Sequence, residues 1–390
     1  MHTAERLDRI KPAATLAMNA AALELKAKGV KVTSLAVGEP DFPPPAHVCA
    51  AAKAAIDAGH SHYTDVPGIP DLRKAVGARY KRLYGVDAPP EQTIICNGGK
   101  QALYNLFMAL LNPGDEVIIP APYWVSYPDM VVLAEGVPVH VFAGPEQGFK
   151  VTVEQLESVR GPRTRVLVYN SPSNPTGAAY SRAERDAVLT WAMEHDIFVV
   201  ADEIYDQLIY PPAEMLGVGE WRMRYPDRIA LVNGLSKTFA MTGWRVGYAI
   251  ADAALIKAMS KFQGQATSNV CSIAQYAALA ALTGGDETVH AMRDVFQARR
   301  DMALKEIASW PEVVCPTPDG AFYLFVDMRR LLGPAMPDCA SLCTRLLKEA
   351  NVATVPGAAF GAPGFVRLSY AVREEDMMDA LSRVKTVLYG

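Results

Sequence analysis

The stretch "RVLVYNSPSNPTGAAYSRAERDAVLTWAMEHDIFVVADEIYDQLIY", Arg165 to Tyr210, decides the fold. An apolar run ends at Asn170, a loop with two prolines and a glycine follows, a helical pattern runs from Ser181 to Asp196, and a second apolar run ends at Asp202. Strand, helix, strand at this spacing is a βαβ crossover, which implies parallel strands covered on both faces. The alternation recurs upstream, as "TIIC" then "KQALYNLFMALL" and as "EVIIP" then "WVSYPDMVVLAE". Downstream, "EIYDQLIY" reads as one more helical pattern after "IFVVAD".

An α/β core, a three-layer and mostly parallel sheet, is therefore expected from about Pro45 to about Thr283, where "ALTGGDE" breaks the pattern. Beyond it come a long charged helix around "VHAMRDVFQARRDMALKEIASW", short strands around "AFYLFVDM" and "FVRLSY", and a terminal helix from "REEDMMDALSRVKTVL". That order suggests a smaller α+β domain over residues 284–390, with the N-terminal segment 1–44 packed on it and a large domain over 45–283.

The 390 residues suffice for two such units. Half are hydrophobic and 21% charged, the balance of a compact chain and not a disordered one. Lys plus Arg is 38 against 42 acidic residues, a formal charge of −4, so no basic excess exists to hold a phosphate backbone and nucleic acid is not an expected partner. The first thirty residues mix acidic and basic groups and lack the apolar core of a signal peptide, and no run approaches the roughly 18 apolar residues of a membrane span. A cytoplasmic protein is expected. Its six cysteines form no C-x-x-C pair, and neither Cys339 with Cys343 nor "HSH" at His60–His62 has a second ligand cluster, so free thiols and no metal are expected.

In open α/β sheets ligands sit beyond the carboxyl ends of the strands. After "TIIC" comes Asn97-Gly98-Gly99-Lys100, a glycine turn opening a helix, whose free N–H groups suit a phosphate. It matches neither GxxxxGK[ST] nor GxGxxG. Tyr123 and Trp124 offer flat rings or ordinary packing, and Asn174 offers an amide in a stiffened loop or marks a structural turn. Asp202 ends a strand too apolar to be half exposed, so its carboxylate should face a cation, a metal or a strong donor, with Tyr205 nearby.

Lys237, in "NGLSKTFAMTGWRVGY" (Asn233–Tyr248), stands among small and hydroxyl residues, where desolvation would lower its pKa and free it to form a Schiff base. Ser236 leaves room beside it, and Arg245 offers a fork for phosphate. A phosphate cradle, an aromatic plate, an amide, a buried carboxylate, a phenol and such a lysine together describe a pocket for pyridoxal 5'-phosphate, the carboxylate keeping the ring nitrogen protonated.

With these motifs, and with "GLSKTFAMTGWRVG" above all, the chain resembles the fold type I pyridoxal-phosphate aminotransferases of class I, nearest to the bacterial aspartate aminotransferase branch with an N-terminal "KP-x-A-T" stretch. The resemblance implies that Lys237 carries the cofactor and moves the substrate proton, that Asp202 pairs with the ring nitrogen, that Tyr205 and Asn174 bond the ring oxygen, and that Trp124 stacks on the ring. It further implies that Gly99, Lys100 and Arg245 hold the phosphate, with Ser236 a candidate hydroxyl because Gly234 stands where the family often has serine. Arg367 and Gly38 would hold the substrate α-carboxylate, and Tyr63 in "HYTDVPGIPDLR" would reach the phosphate of a neighbouring subunit, which implies a homodimer with shared sites.

The function this implies is transamination, favouring aspartate and 2-oxoglutarate, by a ping-pong route. Alternatives with the same pocket are an aromatic or prephenate aminotransferase, a β-lyase, and a non-catalytic cofactor-binding regulator, which would need a partner module that the segments before Pro45 and after the small domain do not offer. Lys11 with Thr15 is the expected reader of a distal substrate carboxylate, against a plain solvated lysine before the helix-starting Pro12.

Overall fold

Strands that are apolar on every residue can be buried only if both faces of their sheet are covered. The computed structural model describes residues 2–10, 12, 14–334 and 336–390, without the side chains of 14–16 and 19. Among the described residues the strands are β1 (Thr33–Ser34), β2 (Thr93–Cys96), β3 (Glu116–Ala121), β4 (Val137–Phe142), β5 (Thr164–Asn170), β6 (Phe198–Asp202), β7 (Ile229–Gly234), β8 (Gly247–Ile250), β9 (Tyr323–Asp327), β10 (Val352–Ala353), β11 (Val355–Pro356) and β12 (Phe365–Ser369). Seven of them form one sheet in the order β2-β8-β7-β6-β5-β3-β4.

From β4 through β7 every pair in that sheet is parallel. The period-two rule shows how both faces are filled. Ile95, Ile118, Leu167, Val199, Leu231 and Ile250 pack on one side, and their chain neighbours Ile94, Val117, Val166, Val200, Ala230 and Ala249 pack on the other. Helices lie against each face, which gives the three layers and the mostly parallel α/β architecture expected from the sequence. A second group of strands makes an antiparallel sheet, β11-β12-β9, and β1 pairs in parallel with β10, so the N-terminal segment joins the end of the chain. This part has its own core around Phe296, Phe322, Tyr323, Leu346 and Val366.

One feature differs from the sequence reading. "EIYDQLIY" is not helical: residues 204–207 form a turn, and Ile209 bridges to Gly320. The segment is short, ends at Pro211, and gains more by burying Tyr205, Leu208 and Tyr210 in the second core than by one exposed helical turn. Within the mostly parallel sheet, β8 is antiparallel to both β2 and β7. It follows the lysine turn within a dozen residues, too few for a helical crossover.

Candidate active site

Past the carboxyl ends of β5, β6 and β7 lies a cavity of about 450 Å³. Asp202 is the last residue of β6 and 5% exposed. Tyr127 donates to its Oδ2 at 2.7 Å and the Ile204 N–H to its Oδ1 at 3.1 Å. Burial raises its pKa to about 6, which these two donors and the charge of Lys237 moderate.

Lys237 sits on a single helical turn, Leu235–Thr238, directly after β7. Its Nζ donates to the Gly38 carbonyl and lies 5.8 Å from the centre of the Phe322 ring. Burial brings its pKa down to about 8; Arg367 and Arg245 push the same way, and Glu39 and Asp202 oppose them. Gly234, which caps this turn, could not take a side chain freely, since a Cβ there would meet the Gly247 Cα at 3.0 Å.

The helix Gly99–Leu110 begins at the cavity wall, which Gly99 and Lys100 line, after Gly98 turns with φ +81°. A Cβ on Gly98 would stand 2.7 Å from Nη2 of Arg245, so only glycine lets the guanidinium approach this backbone. Arg245 itself holds a left-handed backbone, φ +56°, sparsely populated for a residue with a side chain, and donates to the Thr242 carbonyl at 2.9 Å and the Asn97 carbonyl at 3.4 Å. Lys100 stands 5.0 Å over the Trp124 ring, its pKa lowered by burial and by Arg245. Ser236, 7% exposed, lines the same wall.

Arg367 lies on β12 and is 2% exposed. It donates to Asn174 Oδ1 and to the Ala36 carbonyl, both at 2.8 Å, and stacks on Tyr323 at 4.3 Å; its Nε has no hydrogen-bond partner. Tyr205 and Tyr323 pair their hydroxyls at 2.9 Å on the same wall.

Eleven of the expected residues thus share one cavity: Gly38, Gly99, Lys100, Trp124, Asn174, Asp202, Tyr205, Ser236, Lys237, Arg245 and Arg367. Tyr63 does not line it and is 89% exposed. Lys11 lies outside the described residues, as does the side chain of Thr15. Sequence reasoning missed Tyr127, Asn170 and Tyr323 on the cavity wall. Asn170 could have been found, since it is the polar end of an apolar strand; it donates to the Asp202 carbonyl at 2.8 Å and accepts from the Asn174 N–H at 3.1 Å. Tyr127, one tyrosine within an apolar helix, carried no such signal.

A family model described as aminotransferase class I and II matches residues 30–384. The chain is 46% identical to an aspartate/prephenate aminotransferase of Cereibacter sphaeroides, covering 99% of this chain and 98% of that one. Among solved structures it is similar to the aspartate aminotransferase from Thermus thermophilus with maleate, at 43% identity and a TM-score of 0.94 over 99% of this chain and 100% of that one. It is equally similar in fold to the aspartate aminotransferase from Rhizobium meliloti, at 39% identity and a TM-score of 0.95 over 100% and 99%.

Proposed function

The chain belongs to the aminotransferase class I and II family, and from that premise we propose that it moves the amino group of an L-amino acid, aspartate first, to a 2-oxo acid, 2-oxoglutarate first, using pyridoxal 5'-phosphate by a ping-pong route. The observation that carries this reading is that one cavity brings together a lysine with a depressed pKa, a buried carboxylate and two arginines of different surroundings. The relatives' names favour aspartate, and the Thermus relative was solved with maleate, itself a dicarboxylate. Prephenate is the second reading, because the Cereibacter relative carries it in its name.

The residues fit the cofactor. The glycine cradle at Gly98–Gly99 with Arg245 suits its phosphate, and the flat face of Trp124 suits its ring. Bound there, the cofactor supplies an electron sink for the pair left when a proton leaves the substrate Cα. Asp202, ionised above about pH 6 and fixed by its donors Tyr127 and the Ile204 N–H, would keep a proton on the cofactor's ring nitrogen. Lys237 Nζ, near neutrality with a pKa of about 8, takes the Cα proton and returns it. Arg367, oriented by Asn174 and the Ala36 carbonyl, grips the substrate α-carboxylate, with its free Nε as a further donor. Ser236 and Lys100 would add donors to the phosphate, and Tyr205 and Asn174 Nδ2 would serve the ring oxygen.

We also propose the domain division 1–44, 45–283 and 284–390, and a cytoplasmic homodimer. The pairing of β1 with β10 supports the first. Six free cysteines support a reducing compartment, and the bare, exposed Tyr63 supports a second subunit as its destination.

The test is a panel of single amino acids added to the purified, cofactor-loaded protein. Aspartate should convert the visible band of the lysine-bound cofactor to that of its amine form, and 2-oxoglutarate should restore it. Release of pyruvate or ammonia without that cycle would establish lysis instead, and no spectral change with any amino acid would establish a silent binder.

A further inference from the structure

A helix of one turn cannot hold itself, because nucleation costs more than its single hydrogen bond returns. The turn Leu235–Thr238 that carries Lys237 therefore needs anchors from outside. On its cavity side the lysine donates to the Gly38 carbonyl and stands over the Phe322 ring. On the side away from the cavity, the helix Pro70–Tyr84 supplies several contacts at once.

Tyr80 accepts from Asn233 Nδ2 at 3.2 Å, and Asn233 Oδ1 in turn accepts from the Gly234 N–H at 2.7 Å, just before the turn. Arg79, held by Asp286 at 2.7 Å, stands 5.1 Å over the ring of Phe239, just after it. Tyr84 donates to Asp206 Oδ2 at 2.6 Å, and Asp206 Oδ1 accepts from the hydroxyl of Thr238, the residue after the lysine, at 3.4 Å. Gln207 closes the group, donating to the Tyr84 hydroxyl at 2.7 Å.

Asp206 also follows Tyr205 in the chain and is 4% exposed. One buried carboxylate therefore ties the turn bearing Tyr205 to the turn bearing Lys237, and neither of its oxygens faces the cavity residues themselves. We propose that Asp206, braced by Tyr84, is a positioning residue that fixes the separation of Lys237 and Tyr205 across the reaction space. Its geometric role rests on the proposed function above, since those two residues are taken to act on one bound cofactor. Displacing a reacting group by about 1 Å can cost roughly a hundredfold in rate.

The test compares Asp206→Ala, Asp206→Asn and Tyr84→Phe with the unaltered protein. In the cofactor-loaded enzyme Asp206→Ala should lower kcat by about tenfold to a hundredfold with KM for aspartate within about twofold, and should change the visible circular dichroism of the bound cofactor. Asp206→Asn keeps an acceptor for Thr238 and should recover most of kcat; Tyr84→Phe should fall between. In the cofactor-free protein, acylation of Lys237 by an amine-directed reagent, read by peptide mass spectrometry, should be several-fold faster in Asp206→Ala because the side chain is no longer held in the cavity.

Unchanged kcat, dichroism and Lys237 labelling in Asp206→Ala and Tyr84→Phe overturn the proposal, and so does a loss confined to melting temperature. If Asp206→Ala does not fold, Thr238→Val, which deletes one hydroxyl, replaces it in the same comparison. A wild-type protein that takes up no cofactor overturns the proposed function instead, and the labelling arm still decides the positioning role.

Discussion

Tyr127 donates its hydroxyl to Asp202 Oδ2 at 2.7 Å, in a pocket where burial holds that carboxyl at a pKa of about 6. The buried charge is a cost to the cofactor-free fold, and the proposed role of Asp202 would account for it. Because the folded value lies above the ordinary 3.8, the contribution is fully favourable below that ordinary value and is lost as pH rises through about 6.

Asp202→Asn should therefore match the cofactor-free wild type near pH 4 and exceed it at pH 7.5. The gap of about 2 pKa units sets an upper bound of about 3 kcal/mol. The same change should lower kcat by about a hundredfold or more, since the facing nitrogen loses the group that keeps it protonated. Thermal melts at the two pH values and a kcat measurement check both; equal stability at pH 7.5 with unchanged kcat would return Asp202 to a packing role.

Lys237 gives a pH prediction of the opposite kind. Burial depresses its amine to about 8, below the ordinary 10.5, so the unprotonated nucleophile accumulates as pH rises through about 8. Covalent capture of pyridoxal phosphate, trapped by borohydride and located by mass spectrometry, should rise with that midpoint and then level off. Lys237→Ala should show no adduct and no turnover while keeping its fold; a midpoint near 10.5 would mean that the lysine is not desolvated in solution.

Arg367→Gln addresses the substrate end. A charge-assisted hydrogen bond contributes about 1.5–3 kcal/mol, so kcat/KM should fall by roughly tenfold to a hundredfold or more, carried mainly by KM. The loss should be equal for aspartate, glutamate and uncharged amino acids, because all present the same α-carboxylate. A loss confined to dicarboxylates would place Arg367 at the distal group instead.

How much of this was readable in advance depends on range. The parallel core is legible because each strand is locally apolar and each crossover helix carries its own period; Asp202 ends such a run, and Asn174 and Lys237 lie in the short segments just beyond two others. Arg367 is different: in "FVRLSY" nothing local distinguishes a buried arginine from a surface one, and only the resemblance assigned it. Its burial depends on Tyr323, Asn174 and Ala36, which are far away in sequence. Tyr127 and Asp206 were invisible for the same reason, their partners being 75 and 122 residues distant. "EIYDQLIY" reads as a helix on its local period alone, which takes no account of the core that absorbs its aromatic side chains.

Tyr63 is the residue whose proposed role depends on a second copy of the chain. At 89% exposure it packs against little in the single chain and does not line the cavity, so Tyr63→Phe should leave the melting temperature of the cofactor-free protein unchanged. If its hydroxyl reaches the partner's phosphate site, the same change should weaken cofactor retention by roughly tenfold or more, the worth of a hydrogen bond to a charged group. Dialysis against buffer without cofactor reads that loss, but a mixed dimer reads its geometry. In a dimer of one Lys237→Ala subunit and one Tyr63→Ala subunit, shared sites place both lesions in one cavity and leave the other intact. Such a dimer should then regain a full wild-type site, with the kcat and cofactor affinity of the unaltered enzyme at half its number of sites. If Tyr63 served its own subunit, each cavity would carry one lesion and no site would be restored, and the exposed tyrosine would have to be explained by some contact other than the phosphate.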